Sequence, residues 1–384
     1  MLYNFNDMSQ SIFIALAGAL SIISMPLIIK LCKKFSLYDY QNARKIHSGN
    51  IPRLGGVGIF LSFIISATFF LIQTNPQNFN KIIPIMIAGA IVFTFALLDD
   101  LLTLPALSKL IVQLIAVSVV VFNGFHFKQI FSWVLPTPVS FILTFGWILG
   151  VINAYNLIDG LDGLCGSFSI STIITLGILY TLTGNPESIL CFILAASIFG
   201  FLCFNWPPAK LFMGDAGSQF LGFMISVFPL FDSSSVFEFN KFLIMLVITA
   251  FPVFDTIAAI WRRIRDKKPI MSADRSHLHH KLLNMGYSKK GALYLMCFLQ
   301  ILLCISVIIS YFLGARRGMA LLIESTAFVT LFFSFVHYTN RAIILKQKNE
   351  AAAANAGTDA PATEPNASEA PAASDTTSNP EEKA

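Results

Sequence analysis

An all-α integral membrane bundle of about eleven helices is the fold class this sequence predicts, on three observations. Of its 384 residues 55% are apolar and 12% charged, against about 25% charged in soluble domains, and the mean hydropathy is +0.70. Turn residues and charges divide the chain into apolar runs close to the roughly 20 residues that a bilayer core requires. The cations gather in alternate connections between those runs.

The first run, roughly 11–31, closes on Lys30, Lys33 and Lys34. It is expected to be a retained span, because it has no basic segment before it and no small-residue cleavage site. Gly55-Gly56 opens the second, roughly 55–73, and Asp99-Asp100 ends the third, roughly 82–98. The fourth and fifth, roughly 107–123 and 138–153, run from Pro105 to Asn123-Gly124 and from Pro138 to Asn153. The sixth, roughly 164–182, ends before Gly184, and the seventh, roughly 188–205, before Pro207-Pro208. The short eighth follows at roughly 218–231, the ninth at roughly 241–260, the tenth at roughly 291–313 and the eleventh at roughly 319–338.

Lys and Arg are retained on the cytoplasmic side of a membrane. With the N-terminus outside, the outer loops hold only Lys81, Lys128, Lys241, Arg316 and Arg317, and 21 of the 26 basic residues face inward. This orientation puts Asp99, Asp100, Asp159, Asp162, Asp215 and Asp255 in the cytoplasmic half. A carboxylate at the rim of a bilayer is costly, and marks an ion, substrate or proton site. The six cysteines lie in or beside apolar runs without CxxC spacing and are expected to be free thiols. From Glu350 the chain is Ala, Pro, Thr, Ser and Glu without a large apolar side chain, so residues 350–384 are expected to be a disordered cytoplasmic tail after a 1–349 catalytic domain.

Four inner loops carry chemistry. Asp99-Asp100, with Lys109 one loop later, is either a pair compensated by a divalent metal or lysine, or a solvated interfacial pair. Asn153, Asn156, Asp159 and Asp162 recur every third residue, a strip able to read a nucleotide, with Gly160 and Gly163 leaving room for close approach. A capping cluster would need one or two of these residues rather than four. In Phe212-Met-Gly214-Asp215-Ala-Gly-Ser218, backbone N–H groups can cradle an anion, and Asp215 is either a Mg²⁺ ligand or a cap on the following span. The long loop 261–290 contains Arg262-Arg263, Lys267-Lys268 and Asp274-Arg275-Ser-His277-Leu-His279-His280. Without a nearby cysteine, and among so many cations, these histidines fit phosphate oxygens better than zinc. Asp255 either pairs with Arg262 or Arg263 as structural support, the preferred reading, or lines the site. Acids for a metal, amides for a nucleotide and cations for phosphates on one membrane face describe a phosphoryl-transfer site. A transporter would place its acids near the midplane within repeats, and a scaffold would leave the four loops unexplained.

These motifs, together with Arg44-Lys-Ile-His47 and Ile51-Pro-Arg-Leu-Gly-Gly56, resemble the polyprenyl-phosphate N-acetylhexosamine-1-phosphate transferases (glycosyltransferase family 4) over about residues 11–340. His277-Leu-His279-His280-Lys281 is similar to the undecaprenyl-phosphate N-acetylglucosamine-1-phosphate transferase branch. The phospho-N-acetylmuramoyl-pentapeptide transferases differ in carrying three consecutive histidines. The resemblance implies transfer of the phospho-sugar of a UDP-N-acetylhexosamine to undecaprenyl phosphate with release of UMP, at the cytoplasmic face of a bacterial inner membrane. It implies Mg²⁺, with Mn²⁺ an alternative, held by Asp215 and Asp100. Asp99 or Asp100 would deprotonate or position the lipid phosphate, and Asp159 and Asp162 would join the catalytic set. Asn153, Asn156, Asp159, Asp162, Phe212 and Gly214 would form the nucleotide pocket, with Phe212 against the uracil. Lys109, Arg275, His277, His279 and His280 would bind phosphates. The lipid bilayer is a further partner, nucleic acid is not, and a homodimer is one of the oligomeric states left open.

Overall fold

A computed structural model describes residues 5–39, 51–74, 76–102, 104–231, 235–269 and 276–358. Residues 1–340 form one compact unit and 341–384 a second grouping.

Among the described residues helices occupy all eleven expected positions. They are α1 (Phe5–Lys34), α2 (Gly55–Thr74), α3 (Pro76–Leu102), α4 (Ala106–Phe122), α5 (Thr137–Ile158), α6 (Leu164–Thr183), α7 (Ser188–Asn205), α8 (Gly214–Val227), α9 (Ser235–Ile248), α10 (Ala250–Arg265), α11 (Leu278–Asn284), α12 (Lys289–Phe312) and α13 (Gly314–Thr358). Eight are long and apolar enough to cross a membrane, or nine when α9 and α10 are counted as one broken span. The expected spans outside this count are α4, with 17 residues, and α8, with 14 and a 3-10 turn at Phe228–Phe231 continuing it.

The expected ninth span is corrected: α9 and α10 meet at Thr249 with a bend of 68°. Pro252 explains the break. Its missing N–H orphans the carbonyl four residues earlier, that of Ile248. This carbonyl instead accepts Thr172 Oγ1 at 3.1 Å and Gln300 Nε2 at 2.8 Å, donors on α6 and α12. With no water in a bilayer core, such replacement partners are what allow a span to break.

The helix α13 continues past Glu350 to Thr358, and residues 359–384 lie outside the described residues. Two short antiparallel ladders interrupt the helices: Tyr38–Asp39 (β1) with Ile51–Pro52 (β2), and Gln129–Ile130 (β3) with Trp133–Val134 (β4).

The core is aliphatic and aromatic. Phe60 of α2 stacks on Phe93 of α3 at 3.9 Å, and Phe220 of α8 meets both rings edge-on. Lipid tails are as apolar as these rings, so close van der Waals packing rather than transfer from water holds the helices together here. The packing fixes α8 against α2 and α3, and so fixes where Asp215 begins relative to the end of α3. All six cysteines are free.

Candidate active site

Four stretches far apart in sequence meet where α3, α5 and α7 end and α4, α6 and α8 begin. At their centre the carboxylate of Asp99 pairs with Lys109 and accepts Leu104 N–H at 2.7 Å. The Lys109 Nζ also lies 3.3 Å from Asp215 Oδ2. One cation therefore bridges two carboxylates carried by α3 and α8.

Asp100, its neighbour, faces elsewhere. Its Oδ1 accepts the N–H of Asp215 at 3.1 Å and its Oδ2 that of Ala216 at 2.9 Å. It thus serves two of the N–H groups that the first turn of α8 leaves without helical partners. The Arg53 guanidinium donates to the Asp100 carbonyl. Gly214, at φ +75°, closes this corner: a Cβ there would stand 2.4 Å from the Arg53 carbonyl oxygen and 2.6 Å from Asp100 Oδ2. The loop is also clamped from β2. Phe212 N–H donates to the Pro52 carbonyl at 2.8 Å, and Gly55 and Gly56 N–H donate to the Phe212 and Met213 carbonyls at 2.8 and 2.9 Å.

The Asn/Asp strip turns through this corner. Asn156 donates to Ser218 Oγ at 3.0 Å, tying α5 to the first turn of α8. Asn153 is one turn farther back and binds Gln113 Oε1 at 3.0 Å and the Leu149 carbonyl at 2.8 Å. Gln113 in turn bonds Gln219 at 3.0 Å. Asp159, half-buried, caps the end of α5. Asp162 Oδ2 accepts Ala209 N–H at 3.1 Å from the Pro207-Pro208 loop. Asn205 joins the same elements, accepting Gly163 N–H at 2.9 Å and donating to the Leu211 carbonyl at 2.8 Å.

The histidines arrive on α11. His277 is parallel to His279 with ring centroids 6.1 Å apart, and His279 is 4.3 Å from His280. A Cβ on Gly160 would be 2.8 Å from His279 Nε2, so the absence of a side chain there lets the ring lie against the strip. Neither ring nitrogen of His279 has a hydrogen-bond partner among the described residues. Burial, followed by the adjacent His280, pushes its pKa down to about 3.

Burial favours the neutral form of His279, because desolvation disfavours its charged form. Asp100 has both oxygens engaged by backbone donors and so holds the first turn of α8 beside Asp215. Asp255 meets His277, with Oδ2 at 2.9 Å from Nδ1. Arg275, Asp274, Arg44, Lys45 and His47 lie outside the described residues. Arg53 and Asn205 had no role in the sequence reading. A polar Asn closing an apolar run, just before Trp206-Pro207-Pro208, was the available signal for Asn205.

Among the described residues no three His, Cys, Asp or Glu side chains converge on one point. A Mg²⁺ ion fits such an arrangement, since it takes one or two carboxylates and completes its shell with water and substrate phosphates. Asp215, over a third exposed, is the carboxylate with that freedom.

Residues 82–232 match the model of glycosyl transferase family 4. The chain is 32% identical over 325 residues to a probable undecaprenyl-phosphate N-acetylglucosaminyl 1-phosphate transferase of Bacillus subtilis, covering 82% of this chain and 85% of that one. It is 30% identical to a decaprenyl-phosphate N-acetylglucosaminephosphotransferase of Mycobacterium leprae, covering 71% and 77%. An undecaprenyl-phosphate alpha-N-acetylglucosaminyl 1-phosphate transferase of Escherichia coli O157:H7 is also 30% identical, covering 73% and 79%.

Proposed function

Because this chain belongs to glycosyl transferase family 4, beside the undecaprenyl-phosphate N-acetylglucosaminyl 1-phosphate transferases, we propose that it transfers N-acetylglucosamine-1-phosphate from the UDP-sugar to undecaprenyl phosphate. The products are UMP and the lipid-diphosphate sugar, the first membrane intermediate of a cell-envelope glycan. The reaction belongs at the cytoplasmic face of a bacterial inner membrane.

The observation that carries this reading is the Asp99–Lys109–Asp215 bridge at the end of an apolar bundle, beside the Asn156–Ser218 contact. Phosphoryl transfer is mostly positioning and charge neutralisation, and this corner supplies both beside lipid. An oxygen of the lipid phosphate attacks the phosphorus that carries the sugar. The bond from that phosphorus to the UMP oxygen breaks, and UMP leaves with the electron pair. Asp99 orients the lipid phosphate or takes its proton, Lys109 neutralises the diphosphate, and Asn156 with Phe212 receives the nucleotide. Mg²⁺ held by Asp215, or Mn²⁺ in its place, would neutralise charge building on the leaving phosphate. Attack is direct, because a phosphate is a competent nucleophile once its repulsion from the donor is relieved.

The test uses purified protein in detergent with undecaprenyl phosphate, UDP-N-acetylglucosamine and Mg²⁺, following UMP and the lipid product with and without EDTA. Both products should form and EDTA should stop them. Folded protein inert with this donor, with UDP-N-acetylgalactosamine and with UDP-muramoyl-pentapeptide would overturn the proposal.

A further inference from the structure

Behind the histidine cluster stands a carboxylate to which the reaction gives no part. Asp255, in α10, is 2% exposed, and its partner His277 is 6% exposed. Asp255 Oδ2 lies 2.9 Å from His277 Nδ1, while Oδ1 accepts Leu278 N–H at 3.0 Å. A carboxylate accepts at both oxygens, so His277 carries its hydrogen on Nδ1 and offers Nε2 on the opposite side of the ring. One side chain thereby sets the tautomer of His277, its ring orientation and the start of α11. The parallel His277 and His279 rings, with His279 lying against Gly160, connect that anchor to the Asn/Asp strip.

We propose that Asp255 is a positioning residue of the transferase site, acting through His277 to present the Nε2 lone pair as a hydrogen-bond acceptor for a hydroxyl of the substrate. The proposal rests on the transferase reading above. A carboxylate that merely filled space, or that neutralised the arginine run of α10, would have no reason to engage both the ring nitrogen and the backbone N–H beside it. A partner behind a working imidazole selects which nitrogen works, and losing such a partner costs about 10- to 100-fold in comparable metal sites.

The experiment compares wild type, Asp255→Asn, Asp255→Glu, His277→Ala and the Asp255→Asn/His277→Ala double variant, each as the full chain in detergent. The tautomer is read by ¹⁵N NMR of histidine-labelled protein, with the His277 signal identified by its loss in His277→Ala. Asp255→Asn turns an amide N–H₂ toward Nδ1, so the hydrogen should move to Nε2. Its kcat should fall about 10- to 100-fold with both KM values within about threefold. Asp255→Glu, still an acceptor, should keep the wild-type tautomer and recover part of kcat, which preserves the test if Asp255→Asn folds poorly. The double variant should be no slower than His277→Ala. An unchanged tautomer, an unchanged kcat or additive losses would overturn the role of Asp255. A wild type that releases no UMP would instead remove the transferase reading, and the ¹⁵N result would still decide the Asp255–His277 contact.

Discussion

Lys109 Nζ stands 3.3 Å from Asp215 although 106 residues separate the two in the chain, and the same ammonium pairs with Asp99. It occupies the place between two carboxylates that a divalent cation would otherwise compete for. Lys109→Gln should therefore bind Mn²⁺ more tightly than wild type in the absence of nucleotide, because two facing carboxylates lose their compensating charge. Turnover should nonetheless fall about 100-fold or more, since a fixed cation near developing phosphate charge is lost. Mn²⁺ titration by electron paramagnetic resonance, alongside UMP release, reads both. Weaker Mn²⁺ binding in Lys109→Gln would refute the competition.

Adjacent acids are expected to fail in different ways. Asp100 bonds two N–H groups at the start of α8, so Asp100→Asn keeps one acceptor and turns a donor toward the other. Loss of a helix-capping acceptor costs about 0.5–2 kcal/mol, and the variant should melt earlier as well as turn over slowly. Asp99→Asn should lose turnover with a melting temperature near that of wild type, because its partners are the partly exposed Lys109 and one N–H at the helix end. Thermal melts of both variants beside their kcat values separate a positioning role from a chemical one. Equal melting losses would argue against the distinction.

The reach of the sequence follows from what kind of force decides each feature. Hydropathy and charge placed the helices, since they reflect transfer between water and lipid, a property of each segment alone. The bend at Thr249 depended on whether neighbours would rescue the carbonyl freed by Pro252. Its proline was visible in the sequence; the rescue by Thr172 and Gln300, on two other helices, was not. Similarly, the loop residues were legible as a set, from residue type and spacing. Their division of labour was not, because adjacent Asp99 and Asp100 differ only in what the fold brings to them: a lysine to one and the N-terminus of α8 to the other. His279 was read as a phosphate binder from its basic company, whereas its burial against Gly160 favours the neutral imidazole.

That buried imidazole has a consequence for acid stability. The folded-state pKa of His279 is lowered to about 3, well under the unperturbed value of about 6.5. Between these values the unfolded chain takes up a proton that the folded chain does not. Stability is then full above about pH 6.5 and is lost as pH falls toward 3, by up to about 1.4 kcal/mol per pH unit from this one group. His279→Gln removes the titration, so its melting temperature should drop less than that of wild type between pH 7.5 and 5.5. Parallel slopes for the two proteins would show that His279 is protonated or unburied in the folded state.

Asp215 is the remaining carboxylate with room for a ligand. It stands at the first turn of α8, where backbone N–H groups and Ser218 face Asn156. A diphosphate reaching that turn would meet the Asp215 charge directly, which is unfavourable unless a cation lies between them. UDP alone should consequently give little thermal stabilisation, and UDP with Mg²⁺ a shift of several degrees, since a ligand at about 100 times its Kd adds about 2.7 kcal/mol. Asp215→Ala should abolish the Mg²⁺-dependent part of the shift and leave the weaker nucleotide effect in place. If Asp215 were only a cap on α8, the variant would melt earlier yet retain the full response to UDP with Mg²⁺. Differential scanning fluorimetry with UDP, Mg²⁺, both and neither distinguishes the two outcomes.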